Sequence, residues 1–557
     1  DAYNVAIGYQ AGTAVTTGIL NTLIGAEAGD SLTAGVRNVA VGTSALSTED
    51  AHGRNVAVGY AALLTQNAGT DAYNVAVGYD AGTAVTTGTE NTIIGGLAGD
   101  ALTTGVRNTA VGYLALSTED AHSYNTAIGT YSLLALNAGA DGYNTAVGYN
   151  TGQAMTTGIQ NTLVGGLAGD ALTTGMNNVA IGKDALGSED TGSANVAIGT
   201  HALEDLNYNG SGYNTAVGHA AGRNVTTGIY NTIVGGLAGD ALTIGNQNTA
   251  LGMLALSASV DGDSNTAVGF SALRDYEDGD GNGNNTAVGS NSQVAATTGE
   301  FNTSLGSSAM GVGVVTGDFN VALGYQSGED LTSGAGNALF GALAGKSLTT
   351  GASNTVLGYN ALIVENTGSR NVAIGTSALS ALNYAGNGYN IGIGYNAGIY
   401  MSTGIRNVLI GGLAGDALTT GSSNIAIGLQ ALSTEDEHGL NIAIGHNALA
   451  SLNAGADAYN VAIGHLAGEN MTTGVRNTLI GGLSGDAITT GGDNVSLGYN
   501  SLSSNTIGNS NVAIGKDAML TNVAADRNVA IGLGSLQSMT SATTVDTYNV
   551  AVGYAAG

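Results

Sequence analysis

One five-residue motif recurs along the whole chain and limits the folds that the chain can adopt. The motif consists of Asn, a β-branched or small residue, a small or apolar residue, an aliphatic residue or Phe, and then Gly. It occurs 32 times, and Asn and Gly keep their places in every copy. Successive copies are mostly 17 residues apart, and every fourth step is usually 19. A helical-hairpin repeat needs more than about 30 residues, whereas this shorter period is the size of one coil of a β-solenoid.

Four successive coils form a larger repeat of 70 residues, which begins at Asn4, Asn74 and Asn144. We therefore predict an all-β protein in which residues 1–557 form one continuous parallel β-solenoid with about 17 residues per coil. Two stretches depart from this period, 275–320 and 528–549, and we interpret both as insertions in the array. The chain begins and ends at the same phase of the larger repeat without capping segments, so we expect an internal stretch of a longer protein.

The motif predicts a short strand followed by a corner. Val, Thr or Ile almost always follows Asn, and these residues favour strands. Because alternate residues of a strand share a face, the second and fourth motif positions are predicted to point into the solenoid. Gly is predicted to form the corner, where a Cβ atom would clash. Three residues after Gly the chain always has Ala, Ser or Thr, which indicates a second tight inward position.

The invariant asparagine has two interpretations. Stacked asparagines form amide ladders in cross-β structures, but Asn also tolerates turn geometry without forming a ladder. Asp and Ser never replace it, which favours the ladder. The predicted structural residues of the first four coils are Asn4, Gly8, Asn21, Gly25, Asn38, Gly42, Asn55 and Gly59.

The third motif position is predicted to point away from the interior, yet it is seldom polar. A strand that is apolar on both faces is normally buried on both faces, and a monomer rarely exposes so long an apolar stripe. We therefore expect this stripe to pack on other copies of the chain around a fibre axis; the alternative is that the chain's own loops cover it. The predicted interface residues are Ala6, Leu23, Ala40, Ala57, Ile93 and Leu163.

Two forms of the motif resemble known families. NVAIG followed by a small residue, as in Asn4–Ala11, resembles the head repeats of trimeric autotransporter adhesins. NTAVG followed by Tyr-x-Ala-Leu, as in Asn108–Leu116, is similar to repeat arrays in phage tail fibres and related bacterial surface proteins. The adhesin resemblance implies a left-handed parallel β-roll, with three chains in one fibre and the small third residue near the trimer axis. The coil of this chain is longer than the adhesin repeat.

Composition excludes several classes of protein. The chain has no Cys, which excludes disulfides, thiolate metal sites and cysteine nucleophiles. Twelve basic residues against 41 acidic ones give a net charge of −29, which opposes binding to nucleic acid or to anionic membranes. No apolar run approaches the ~18 residues of a membrane span, so we expect no membrane insertion of this segment.

Few side chains offer catalytic chemistry, and most of them recur with the repeat. His52, His122 and His438 share one place in the repeat; neighbours four coils apart stand roughly 19 Å apart, at about 4.8 Å per coil. We therefore interpret them as surface residues that cannot share a metal ion. Acidic pairs recur in one coil type, as a solvated loop would, whereas a catalytic pair need occur only once; we predict that the protein is not an enzyme. The pairs are Glu49-Asp50, Glu119-Asp120, Glu189-Asp190 and Glu435-Asp436.

One irregular loop offers a candidate metal site. Asp278, Asp280, Asn282 and Asn284 alternate with other residues in a Gly-rich stretch, and such oxygen ligands can wrap Ca²⁺. The bidentate Glu of an EF-hand is missing. The alternatives are a bound Ca²⁺ and an acidic loop that binds no ion; no other cofactor is expected.

These observations favour a structural role. At about 4.8 Å per coil, the coils would span roughly 150 Å, and the stack should be stiff. We expect an extracellular fibre or adhesin shaft on a phage or bacterial surface, a homotrimer that presents an end binding a host-surface glycan or protein. The alternative is a ligand-binding solenoid with a glycan or ice surface, but the paired threonines occur in only about half of the coils.

Overall fold

The computed structural model describes residues 2–277, 279 and 282–557. Within these residues the regular secondary structure is entirely β, and none of it is helical. The predicted fold class is confirmed: the chain forms a parallel β-solenoid whose 32 main strands are one per motif, with neighbouring strands paired at the spacing of the repeat. The residues fall into two compact units, 1–283 and 284–557.

The first unit contains β1 to β16, each three residues long. From β1 to β16, each strand pairs in parallel with the one that follows it within the unit, so that Val5, Ala6 and Ile7 lie beside Thr22, Leu23 and Ile24. The strands are β1 (Val5–Ile7), β2 (Thr22–Ile24), β3 (Val39–Val41), β4 (Val56–Val58), β5 (Val75–Val77), β6 (Thr92–Ile94), β7 (Thr109–Val111), β8 (Thr126–Ile128), β9 (Thr145–Val147), β10 (Thr162–Val164), β11 (Val179–Ile181), β12 (Val196–Ile198), β13 (Thr215–Val217), β14 (Thr232–Val234), β15 (Thr249–Leu251) and β16 (Thr266–Val268).

The second unit contains β17 to β34 and follows the same pattern. Two of its strands, β31 and β33, are only two residues long and pair with each other beside the main stack. The strands are β17 (Thr286–Val288), β18 (Thr303–Leu305), β19 (Val321–Leu323), β20 (Ala338–Phe340), β21 (Thr355–Leu357), β22 (Val372–Ile374), β23 (Ile391–Ile393), β24 (Val408–Ile410), β25 (Ile425–Ile427), β26 (Ile442–Ile444), β27 (Val461–Ile463), β28 (Thr478–Ile480), β29 (Val495–Leu497), β30 (Val512–Ile514), β31 (Ala525–Asp526), β32 (Val529–Ile531), β33 (Val545–Asp546) and β34 (Val550–Val552).

The middle residue of each strand points into the coil, and its two neighbours point out. In β2, Leu23 is fully buried, whereas Thr22 and Ile24 are partly exposed. The predictions that the second and fourth motif residues face the interior and that the third faces outward are therefore wrong. The physical reason is alternation: the motif asparagines are buried, so the residue two places later shares their inward face. Of the predicted interface residues, Leu23, Ala40, Ala57, Ile93 and Leu163 are fully buried in their own coils, and Ala6 in the first coil is exposed.

The core is filled by large and small residues that complement one another across coils. Ala28 and Ala45, three residues after the motif glycine, are fully buried. Four residues after the motif glycine, four successive coils have Gly12, Gly29, Leu46 and Leu63. A Cβ atom at Gly12 would lie 2.6 Å from Cδ1 of Leu23, and one at Gly29 would lie 2.9 Å from its Cδ2. The large third residue of every fourth coil thus occupies the space beside two glycines.

The motif glycines form corners that only glycine can occupy. Their φ angles lie between 128° and 148° in every copy, a conformation that residues with a Cβ atom rarely adopt. At Gly112 an added Cβ would lie 2.4 Å from the carbonyl oxygen of Gly129 in the next coil. Each corner is therefore constrained both by its own dihedral angles and by the coil stacked on it.

Candidate functional site

Motif asparagines link neighbouring coils through their side-chain amides. The backbone N–H of Asn38 donates to Oδ1 of Asn21 at 2.9 Å, and Nδ2 of Asn21 donates to the carbonyl of Gly35 at 2.8 Å. Direct contact between amides is longer, at 3.2 Å from Nδ2 of Asn21 to Oδ1 of Asn4. The ladder therefore runs chiefly from side chain to backbone and needs a donor and an acceptor on one side chain. Neither Asp nor Ser supplies both in this geometry.

On the outward face of the main sheet the fourth motif position is apolar in every strand, whereas the second position holds either an aliphatic residue or Thr. We call the second and fourth motif residues of all coils the outer ranks. In the fourth position, Ile94, Ile128 and Leu251 are 38%, 38% and 46% exposed. The fourth motif position, rather than the third, therefore forms the exposed apolar stripe of the strands.

Exposed aromatic side chains flank the strands and stack from coil to coil. Tyr73 precedes β5 and Tyr79 follows it, and their side chains are 50% and 58% exposed. The ring of Tyr79 stacks on Tyr60 with centroids 5.3 Å apart, and the guanidinium of Arg54 lies 5.1 Å from the ring centroid of Tyr73. Further parallel stacks join Tyr124 with Tyr143, Tyr213 with Tyr230, and Phe301 with Phe319. Neighbouring coils thus hold these rings in fixed orientations.

The acidic pairs do not form solvated loops, as the sequence suggested. Glu119 is fully buried, because it takes the inward place that Leu102 and Leu136 fill in neighbouring coils. Its Oε1 accepts a hydrogen bond from the backbone N–H of His122 at 3.0 Å, and its Oε2 accepts one from Ala138 N–H in the next coil at 3.2 Å. The glutamate therefore closes the loop by satisfying backbone donors. Burial raises the pKa of the equivalent carboxyl groups of Glu49, Glu189, Glu365 and Glu435.

Three of these loops also bring a histidine against the buried glutamate. The distance from imidazole Nδ1 to Glu Oε1 is 3.6 Å for His52 and Glu49, 2.8 Å for His122 and Glu119, and 3.4 Å for His438 and Glu435. The aspartate between them contributes a further oxygen nearby. Comparing histidines of different coils missed this arrangement. The signal was the Glu-Asp-x-His spacing inside one loop, which places all three side chains around one turn.

The predicted calcium loop is only partly described by the structure. Asp278 and Asp280 lie outside the described residues. Asn282 is exposed, and its backbone carbonyl accepts a hydrogen bond from the hydroxyl of Tyr276 at 3.0 Å. Asn284 is also exposed and has a φ of 54°. The Ca²⁺ site remains a prediction.

Comparison with known proteins adds no relative. No protein-family model matches the sequence, and no curated protein matches it. In the described part of the chain there is no long apolar helix of the kind that crosses a bilayer.

Proposed function

We propose that the chain is a structural fibre or adhesin shaft on a phage or bacterial surface. It acts there as a rigid extracellular spacer that presents a receptor-binding end, and it assembles as a homo-oligomer, in the simplest case a trimer. The observation that carries this proposal is a row of apolar side chains at the fourth motif position, which lie on the outward face and repeat in register from coil to coil, over a core that each coil completes with its neighbours.

Stiffness is supported by the number of bonds that tie each coil to the next. The asparagine ladder and the strand pairing recur at every coil. Threonines add further bonds, since Oγ1 of Thr33 donates to the carbonyl of Asp50 in the next coil at 2.9 Å. Bending the stack would break these bonds on one side, and a straight spacer needs that resistance.

Self-association is also supported by the exposed area of the tyrosines that flank the outer ranks. Eight tyrosines of the first unit beside these ranks are 47–58% exposed. A fully covered aromatic side chain buries about 150–250 Å², so eight half-exposed rings offer roughly 800 Å². That equals the area that each partner contributes to a standard stable interface, about 800 Å². The rings are Tyr60, Tyr73, Tyr79, Tyr113, Tyr143, Tyr149, Tyr213 and Tyr230.

Light scattering coupled to size exclusion tests the proposal on the full chain. We expect a mass of three times 54.6 kDa for the unmodified protein. Replacing Ile94, Ile128 and Ile181 of the outer ranks together by Asp should give monomers with unchanged far-ultraviolet circular dichroism. The matched control replaces Ile244 and Val260 by Asp, because these side chains are 52% and 40% exposed but lie in loops. A stable monomer for the unmodified chain would contradict the proposal.

A glycan-binding surface is the second candidate, and the exposed tyrosine columns favour it over an ice-binding one. Rings that are half exposed and held parallel provide flat apolar faces for sugar rings. The paired threonines are less suited to ice, because hydroxyls such as those of Thr16 and Thr33 already donate to carbonyls of the next coil. Glycan microarray binding that is lost on replacing Tyr60 and Tyr79 by Ala, in a chain that stays oligomeric, would favour this function.

A further inference from the structure

Three loops of the solenoid share the sequence Glu-Asp-x-His and the same arrangement of side chains. They span residues 49–52, 119–122 and 435–438. In each loop a glutamate oxygen, an aspartate oxygen and a histidine ring nitrogen all lie within 4.8 Å of one another. The arrangement is independent of the proposed fibre role, because it lies in the loops and not on the outer ranks.

The loop at 49–52 contains buried polar atoms that the protein itself does not satisfy. Glu49 is fully buried, and its Oε2 makes no hydrogen bond. Nδ1 of His52 is also buried and makes no hydrogen bond, although it lies 3.6 Å from Oε1 of Glu49. Buried polar atoms are nearly always partnered in folded proteins, so an unpartnered oxygen and an unpartnered nitrogen in one loop require an explanation.

The distance between the histidine Nδ1 and the glutamate Oε1 fits a tetrahedral metal ion. Zinc bonds to His nitrogen and carboxylate oxygen at about 2.0–2.2 Å, which places neighbouring ligands of a tetrahedron about 3.4 Å apart. The separations in the loops of His52 and His438 are 3.6 and 3.4 Å, too long for a hydrogen bond of good geometry. At His122 the separation is 2.8 Å, and there the ring nitrogen is hydrogen-bonded to Glu119.

We propose that the Glu-Asp-x-His loops bind a divalent transition-metal ion such as Zn²⁺, with Glu49, Asp50 and His52 as ligands in the first loop and Glu435, Asp436 and His438 in the third. Water completes the coordination. The histidine side chains are 28% and 23% exposed, which gives the ion a path from solvent. Imidazole favours Zn²⁺ over Ca²⁺, which prefers oxygen ligands. In the second loop an ion must displace the Nδ1 proton that bonds to Glu119, so this loop should fill last.

Two other loops serve as natural controls within the same chain. Glu189 and Glu365 are buried like Glu49, but Gly192 and Gly368 stand where the other loops have histidine. There Oε1 of the glutamate accepts a hydrogen bond from the glycine N–H at 2.7 and 2.8 Å. The glutamate therefore supports the loop without any histidine. Replacing histidine by glycine in the proposed sites reproduces a loop that this chain already contains.

The test counts zinc ions bound to the full chain after removal of metals with a chelator. Isothermal titration with Zn²⁺ and metal analysis after gel filtration should both show one ion fewer per chain for His52→Gly and for His438→Gly, and two fewer for the double variant. His446→Gly is the control, because that ring stacks on His465 outside the loops and should leave the count unchanged. Co²⁺ provides a second measurement, since its tetrahedral visible absorption should fall with the double variant. Equal zinc binding by the unmodified chain and the double variant, or no binding by either, would overturn the proposal.

Discussion

At the scale of single residues, the asparagine ladder makes each coil depend on the next one. Oδ1 of Asn178 accepts from the backbone N–H of Asn195 at 3.0 Å, and its Nδ2 donates to the carbonyl of Gly192 at 2.9 Å. Asn178→Ala leaves both backbone groups buried without a partner, which should cost about 1–3 kcal/mol for each group. Hydrogen exchange at the amide of Asn195 should therefore accelerate, whereas Asn137→Ala, at an exposed side chain, should leave exchange unchanged. Unchanged protection at Asn195 would show that the ladder contributes no stability.

The role of the corner glycines can be tested on two neighbouring glycines, of which only the first forms a corner. Gly235 has a φ of 140°, and a Cβ there would lie 2.5 Å from the carbonyl oxygen of Gly252. Gly236, the next residue, has open space around the position of a Cβ. Gly235→Ala should lower stability by about 1–3 kcal/mol through backbone strain alone, and the steric overlap adds to this loss. Gly236→Ala should leave the melting temperature nearly unchanged, and equal melting of the two variants would rule out the corner role.

The buried loop glutamates make stability depend on pH. Burial raises the pKa of Glu365 above its ordinary value of 4.5, although N–H groups of Tyr384 and Gly368 oppose the shift. A carboxyl group with a raised folded-state pKa binds its proton more tightly in the folded protein. Its contribution to stability is therefore complete below pH 4.5 and is lost as the pH rises through the folded-state value. The protection of loop amides in the unmodified chain relative to Glu365→Ala should be greater at pH 4 than at pH 7. The opposite order would mean that the backbone bonds, not burial, control the group.

At the scale of the coil, the 70-residue repeat determines where large and small core residues are placed. Leu163 fills the space beside Gly152 and Gly169, where a Cβ would lie 2.9 and 3.1 Å from its δ carbons. In the preceding coil the corresponding places hold Ala146 and Gly152, and two coils before Leu163 they hold Ala127 and Leu133. Large and small residues thus exchange places between successive coils.

This pattern predicts that a destabilising substitution at the third motif position can be compensated by a second substitution four residues after the motif glycine. Leu163→Ala should create a cavity and cost about 2–5 kcal/mol. Gly169→Leu alone should also destabilise the coil, because it would overlap Leu163 and Leu172. The double variant reproduces the Ala, Leu, Leu pattern of the coil with Ala127, and it should melt above either single variant. Additive losses in a double-mutant cycle would indicate that the two places do not share one space.

Much of the fold was predictable because the motif repeats its spacing in every coil. The coil length, the parallel strands and the corner at Gly all followed from Asn and Gly recurring together. The direction of the side chains could not be predicted in this way, because hydrophobicity alone assigns Val and Ile to the core. The alternation of side chains along a strand gives the correct direction. A buried Asn ladder places the first and third residues of the motif inward and therefore places the second and fourth outward.

The candidate sites were less predictable, because they depend on burial that spacing does not report. In the sequence Glu49 resembles a carboxylate of an exposed loop. Its side chain points inward because it occupies the position that Leu32 and Gln66 fill in the adjacent coils. The left-handed backbone of Leu46 and Tyr73, with φ of 53° and 54°, was equally hidden, because bulky residues rarely adopt it. Stacking imposes such conformations, because each coil repeats the dihedral angles of the coil beneath it.

At the scale of the whole molecule, an exposed row of apolar side chains at the fourth motif position is combined with a strongly negative net charge. The charge of −29 repels other copies, while the outer ranks and tyrosine columns attract them by burial. The balance between these two effects is set by salt, since the repulsion is screened and the burial is not. A fibre of this composition should therefore assemble better in salt than in water.

The last prediction follows from that balance and tests which force joins the chains. The Debye length falls from about 30 Å at 0.01 M salt to about 10 Å at 0.1 M, so repulsion between chains weakens over that range. We expect the dissociation constant of the homo-oligomer, measured by sedimentation equilibrium, to decrease as NaCl rises from 0.01 to 0.1 M. The Ile94, Ile128 and Ile181 to Asp variant should remain monomeric throughout, because screening does not restore the lost apolar contacts. An interface held by ion pairs would respond in the opposite direction, and dissociation with added salt would therefore exclude the outer ranks as the main source of affinity.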